Sequence, residues 1–145
     1  MFCAFKRLIP AAFMLAGTAQ MGLAQSSDTS FHLELNSATE TSTGSCRLTY
    51  VAANRSDVAL DRTAYEVAIF DADGMVTRLL VLEFGALVEG KTKILQFDLA
   101  ETPCNSVSRI VINDVAACTM AGGGESSICM SGLSASSRTA IQFGI

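Results

Sequence analysis

Apolar and polar side chains alternate with a period of two along much of the chain. Phe31, Leu33 and Leu35 alternate with His32 and Glu34, and Cys46, Leu48, Tyr50 and Ala52 alternate with Arg47, Thr49 and Val51. That period belongs to strands with one face buried. The same reading predicts five more strands: Tyr65 to Phe70, a strongly apolar Met75 to Phe84, Ile94 to Leu99, Arg109 to Asn113 and Thr139 to Phe143. Turn chemistry separates them. Asn54, Arg55, Ser56 and Asp57 form a stop whose polar side chains bond their own backbone. Asp71, Ala72, Asp73 and Gly74 form a hairpin loop in which Gly74 supplies a positive φ. Gly85 to Lys91 reads as the next connection, with Gly90 as its left-handed residue, and Asn36 to Gly44 reads as a loop. No segment has a helical period, and the Ala and Ser runs near Ala116 and Ser131 leave room for one helical turn at most. Seven short strands with turns between them predict an all-β fold, an immunoglobulin-like antiparallel β-sandwich.

The front of the chain breaks this pattern. A basic start with Lys6 and Arg7, an apolar stretch from Leu8 to about Met21 and small residues at Gly22 and Ala24 have the layout of a secretory signal peptide, with cleavage after Ala24. Pro10, Gly17, Thr18 and Gln20 interrupt the apolar run, which is shorter than the ~20 residues a membrane-spanning helix needs. Cys3 lies too far upstream to be a lipoprotein anchor, and Lys6 with Arg7 only partly matches a twin-arginine signal. The organisation is therefore leader 1–24, a polar disordered lead-in 25–30, and one domain 31–145. The expected location is periplasmic or secreted, with no stable membrane span in the mature chain.

Without Lys6 and Arg7, eight basic residues face fourteen acidic ones. Phosphate affinity depends on clustered Lys and Arg, so nucleic acid is not an expected partner. Loss of Cys3 leaves Cys46, Cys104, Cys118 and Cys129, an even count that reads as two structural disulfides in an oxidising compartment. No pair has the Cys-x-x-Cys spacing of redox or zinc sites, and His32 is the lone histidine. Following the strands up and down the sandwich brings Cys104 to the end where Cys46 lies. It carries Cys118 and Cys129 together into one long loop at the other end. The undistorted pairing is therefore Cys46 with Cys104 and Cys118 with Cys129. On loop entropy the bridges contribute about 4 and about 3 kcal/mol.

Three pieces of turn chemistry carry a resemblance: Asn54, Arg55, Ser56; then Phe70, Asp71, Ala72, Asp73, Gly74; then Leu87, Val88, Glu89, Gly90 leading to Phe97. Over these fifty or so residues the chain resembles bacterial immunoglobulin-like domains of the FxLYD kind. The whole chain is also similar to small exported bacterial proteins without an assigned activity. The resemblance implies a fold and an accessory or adhesive role, and no catalytic activity. The four cysteines and the segment from Ala116 to Ser136 depart from that pattern.

Catalytic chemistry finds few residues to use. There is no Gly-x-Ser-x-Gly elbow, and His32 reads as an exposed strand residue. Glu83 and Glu89 flank a connection. The spacing of Asp71, Asp73 and Glu83 suggests a calcium loop, but the hydrophobic strand Val76 to Leu82 between them cannot wrap an ion. Gly122, Gly123 and Gly124 lack the strand, helix and Lys that a phosphate loop needs. Asn54-Arg55-Ser56 matches a glycosylation sequon by chance. The remaining candidate is the disulfide-closed loop, with Met120, Glu125, Ser126, Ser127 and Ile128 as its contact residues. The expectation is a non-enzymatic exported module, without metal or cofactor, that contacts an envelope protein. The alternative is a small-ligand-binding or inhibitor protein using the Cys118 to Cys129 loop.

Overall fold

A computed structural model describes residues 30–145. The expected leader and residues 25–29 of the lead-in lie outside the described residues. Ser30 belongs to the folded part, because its carbonyl accepts the Arg55 N–H at 2.7 Å.

The strands are β1 (Phe31–Glu40), β2 (Cys46–Asn54), β3 (Leu60–Phe70), β4 (Val76–Leu87), β5 (Thr92–Leu99), β6 (Arg109–Met120), β7 (Leu133–Ser137) and β8 (Gln142–Gly144). A 3-10 turn, Cys104–Ser106, precedes β6, and a one-turn helix α1 (Ile128–Ser131) precedes β7. Two four-stranded sheets, in the orders β5-β2-β1-β7 and β4-β3-β6-β8, pack face to face as an all-β sandwich. The inward residues of β1 and β2 are the alternating set seen in the sequence: Phe31, Leu33, Leu35, Cys46, Leu48, Tyr50 and Ala52 are all buried. From the second sheet they meet Tyr65, Val67, Ile69, Leu82, Phe84, Ile110 and Ile112.

Tyr50 is the hub of this core. Its ring stands edge-on to Phe84, Phe97 and Phe143 at 5.7, 5.9 and 5.2 Å between centroids, and Phe84 meets Tyr65 at 5.9 Å. Edge-to-face contacts of this kind add about 0.5–1.5 kcal/mol each beyond the area they bury. They join β2 and β5 of one sheet to β4 and β8 of the other.

Several boundaries differ from the sequence reading. Among the described residues there are eight strands, where the sequence pattern predicts about seven. β1 runs through the expected loop to Glu40, because a bulge between Leu35 and Ser37 lets its polar end keep pairing with β2. β3 begins five residues before Tyr65, at Leu60. β4 extends to Leu87, leaving a short turn closed by the Lys91 N–H on the Val88 carbonyl. β6 continues past Asn113 to Met120, so Cys118 sits on a strand and not in a loop. β7 arises inside the segment read as irregular. The final strand starts at Gln142, not Thr139, because the Thr139 hydroxyl bonds the Ile141 N–H and carbonyl and holds the preceding residues as a turn. The sheets are also mixed: β7 runs parallel to β1 and β8 parallel to β6, while the other four pairings are antiparallel.

Each end of the sandwich is stapled. At the end holding the Asp71 to Gly74 hairpin, Cys46 is bonded to Cys104 with 4.7 Å between Cα atoms. At the opposite end Cys118 is bonded to Cys129, 6.0 Å apart. This is the connectivity that the strand order requires. Asn54 closes the same lower end without sulfur. Its side chain is 1% exposed, its amide nitrogen donates to the carbonyls of Val58 at 2.8 Å and Leu87 at 3.0 Å, and its oxygen accepts from the N–H and hydroxyl of Ser56. The sequon is thus a structural pin from β2 to the opposite sheet, with both amide protons in use.

Candidate functional site

The disulfide-closed segment is more constrained than a free loop. The Ser126 N–H donates to the Cys118 carbonyl at 2.9 Å, the Met120 N–H to the Gly124 carbonyl at 2.9 Å, and Thr119 bridges Glu125. The Ser126 hydroxyl accepts the Ile128 N–H, and the Ser127 carbonyl accepts from Ser131 in the single turn of α1. Cys129 is fully buried, and its carbonyl accepts the Tyr65 hydroxyl at 2.6 Å. Of the five expected contact residues, Glu125 and Ser127 are exposed, whereas Met120, Ser126 and Ile128 are half-buried. Ile128 packs against the core. Ile128 and Cys129 thus seal the lower end of the core, while Ala121 to Glu125 and Ser127 stay exposed.

His32 is not a lone exposed residue. On the outer face of the first sheet its two ring nitrogens meet the hydroxyls of Ser134, at 2.7 Å, and Ser136, at 3.2 Å. Beside it Glu34 bonds Asn36 at 2.9 Å and Arg138 at 3.0 Å, and those two partners hold its carboxyl below the usual range. A serine within reach of an imidazole has the composition of a nucleophile and its base. Both serines lie on β7 and the histidine on β1, so the same contacts tie β7 to its neighbour. The sequence separations, 102 and 104 residues, hid this contact from a local reading.

At the upper end a cleft of about 350 Å³ is lined by Ile69, Asp71, Arg78, Leu99, Glu101 and Ser106. Its residues are largely committed: Arg78 donates to the Ala100 carbonyl at 3.1 Å, and the Asp71 carboxylate accepts the N–H groups of Asp73 and Met75. The acidic turn considered for calcium thereby serves as a hairpin cap.

The largest departure from an ordinary polar surface is β4. Its inward side chains Leu82 and Phe84 enter the core, yet its outward side chains Leu79 and Val81 are 59% and 52% exposed. Val76 and Met75, at the hairpin end of the strand, are 51% and 65% exposed. Cross-strand from Leu79 lie Ala68, only 6% exposed, and then Val111, whereas cross-strand from Val81 lie Glu66 and Asp114. β4 is also the edge of its sheet, and among the described residues no strand pairs with its outer side. Contiguous exposed apolar surface marks interaction sites. The sequence signal was present in the run Leu79 to Leu82, but an apolar run does not tell which face meets water.

Comparison with known proteins adds no assignment: no family model, curated protein or solved structure matches the chain.

Proposed function

We propose that this chain is an exported, non-enzymatic interaction module of immunoglobulin-like design, which docks onto an envelope protein through the outer face and open edge of β4. The observation that carries this reading is the exposed row of Leu79 and Val81 on an unpaired edge strand. Isolated exposed apolar residues are ordinary, whereas a row of them beside an open hydrogen-bonding edge offers both grip and register for a partner strand. Two disulfides are the mark of an oxidising, exported environment. Among the described residues no helix is long and apolar enough to cross a membrane. The immunoglobulin-like reading draws support from turns standing at Asn54 to Ser56, Asp71 to Gly74 and Val88 to Lys91, where the resemblance needs them.

The competing reading, a small-ligand or inhibitor site on the Cys118 to Cys129 loop, draws less support, because Ser126 and Ile128 are committed to the loop's own scaffold. A photo-crosslinking residue placed at Val81, and separately at Thr49 on the outer face of the other sheet, tests the proposal in the cell envelope. Adducts from position 81 and none from position 49 are the expected result. Equal labelling, or none from position 81, refutes it.

A further inference from the structure

We propose that Ser136 is an acyl-acceptor site: its hydroxyl takes an acyl group from an activated carboxylic ester, with the His32 imidazole as base and Ser134 as the residue that positions the ring. The site stands apart from the β4 docking surface, since it lies on the outer face of the other sheet.

The roles follow from the protons available. A serine hydroxyl has one proton to give, and a neutral imidazole has one N–H. Ser134 Oγ lies 3.4 Å from the Phe31 carbonyl, which can only accept, so the Ser134 proton goes there. Its oxygen then accepts the Nδ1–H of His32 at 2.7 Å. That leaves Nε2 with its lone pair, and the Ser136 hydroxyl donates to it at 3.2 Å, the one hydrogen bond this hydroxyl makes among the described residues. Nucleophile, base and orienting group thus stand in the order that activates a hydroxyl. Glu34, two residues along the same face of β1, favours the imidazolium that proton transfer creates. His32, Ser134 and Ser136 are all half-buried, and β7 is the edge of its sheet, so a small ester reaches them.

In the transfer, Ser136 Oγ attacks the ester carbonyl carbon while Nε2 takes its proton. The bond to the leaving oxygen breaks, and that oxygen departs with the proton handed on by His32. An acyl ester on Ser136 and a free alcohol or phenol remain. Backbone N–H groups lie in the plane of a sheet and not among the side chains on its face, so the tetrahedral oxyanion lacks donors of the kind that contribute about 10²–10³ in rate elsewhere. Only an ester with a good leaving group therefore reacts, and the alkyl ester left on Ser136 is not one. The transfer happens once, as a modification of the module and not as turnover.

The test uses p-nitrophenyl acetate on the oxidised protein, with the acetylated residue located by peptide mass spectrometry. A single burst of p-nitrophenolate is the expected result, with the acetyl group on Ser136 and little on the exposed Ser106 and Ser131. Ser136→Ala removes the burst. His32→Gln, which keeps a side chain that can bond Ser134, slows it at least about a hundredfold. Ser134→Ala slows it at least about tenfold and Ser134→Thr restores it, since only a hydroxyl there orients the ring. Circular dichroism identical to the parent shows that each variant folds. Acetylation of Ser134 in place of Ser136, labelling of Ser136 no faster than of Ser106, a burst unchanged in His32→Gln, or turnover past one equivalent overturns the proposal.

Discussion

Replacing Asn54 by alanine tests whether the lower end of the sandwich is held by one amide. The side chain donates to two carbonyls, of Val58 in the connection between β2 and β3 and of Leu87 in β4 of the opposite sheet. Truncation leaves both without that donor, and the Leu87 site is buried. An orphaned buried polar group costs about 1–3 kcal/mol, so Asn54→Ala should lose about 3 kcal/mol in all. That is a large share of the roughly 5–15 kcal/mol typical of whole domains. With an urea slope of about 1.5 kcal/mol/M, the unfolding midpoint falls by about 2 M at unchanged slope. Asn54→Asp keeps the shape and the acceptor but turns both donors into a carboxylate facing two carbonyl oxygens, and should be at least as damaging. Arg55→Ala, one residue on and exposed, is the control, because its bond to Ser30 is made by the backbone. An Asn54→Ala variant within about 0.5 kcal/mol of the parent, or an Asn54→Asp variant as stable as the parent, refutes the argument.

Removing Cys46 and Cys104 together should cost about 4 kcal/mol and removing Cys118 and Cys129 about 3, by calorimetry; the opposite order contradicts a loop-entropy account. The two tyrosines should differ on conversion to phenylalanine. Tyr65→Phe loses the bond to the Cys129 carbonyl and costs about 1 kcal/mol, whereas Tyr50→Phe removes a buried hydroxyl without a partner among the described residues and is neutral or stabilising in urea titration. Burial also pushes both phenols well above the usual tyrosine range. Their neutral forms are thus favoured in the folded state, a contribution fully present below about pH 10 and lost as pH rises beyond it. With two tyrosines and no tryptophan in the chain, near-ultraviolet tyrosinate absorbance should stay flat until the protein unfolds; a smooth titration of either ring before unfolding contradicts the packing.

The alternation of β1 and β2 and the oxidised pairs were legible because each rests on local period or on strand order. β7 was not, since Leu-Ser-Ala-Ser-Ser carries little apolar contrast; its place comes from pairing with a strand a hundred residues earlier. The far half of β6 was hidden by bulges opposite Ala64 to Val67, which break the period on which the reading relies. The polar tail of β1 resembles a loop in sequence because Ser and Thr suit an exposed strand end as well as a turn. At the candidate site, composition revealed the apolar run of β4. Its exposure depends on which strands lie beside it, and that is a property of the assembled sheets. The clasp of His32 on Ser134 and Ser136 depended on the same long-range pairing.

β7 and β8 sit side by side, one completing each sheet, and both lie beyond every residue they pair with. One flank of the sandwich therefore stays unzipped until the ribosome has delivered these late segments. Until then the nascent chain lacks its closing seam, and its core stays open to water along that flank.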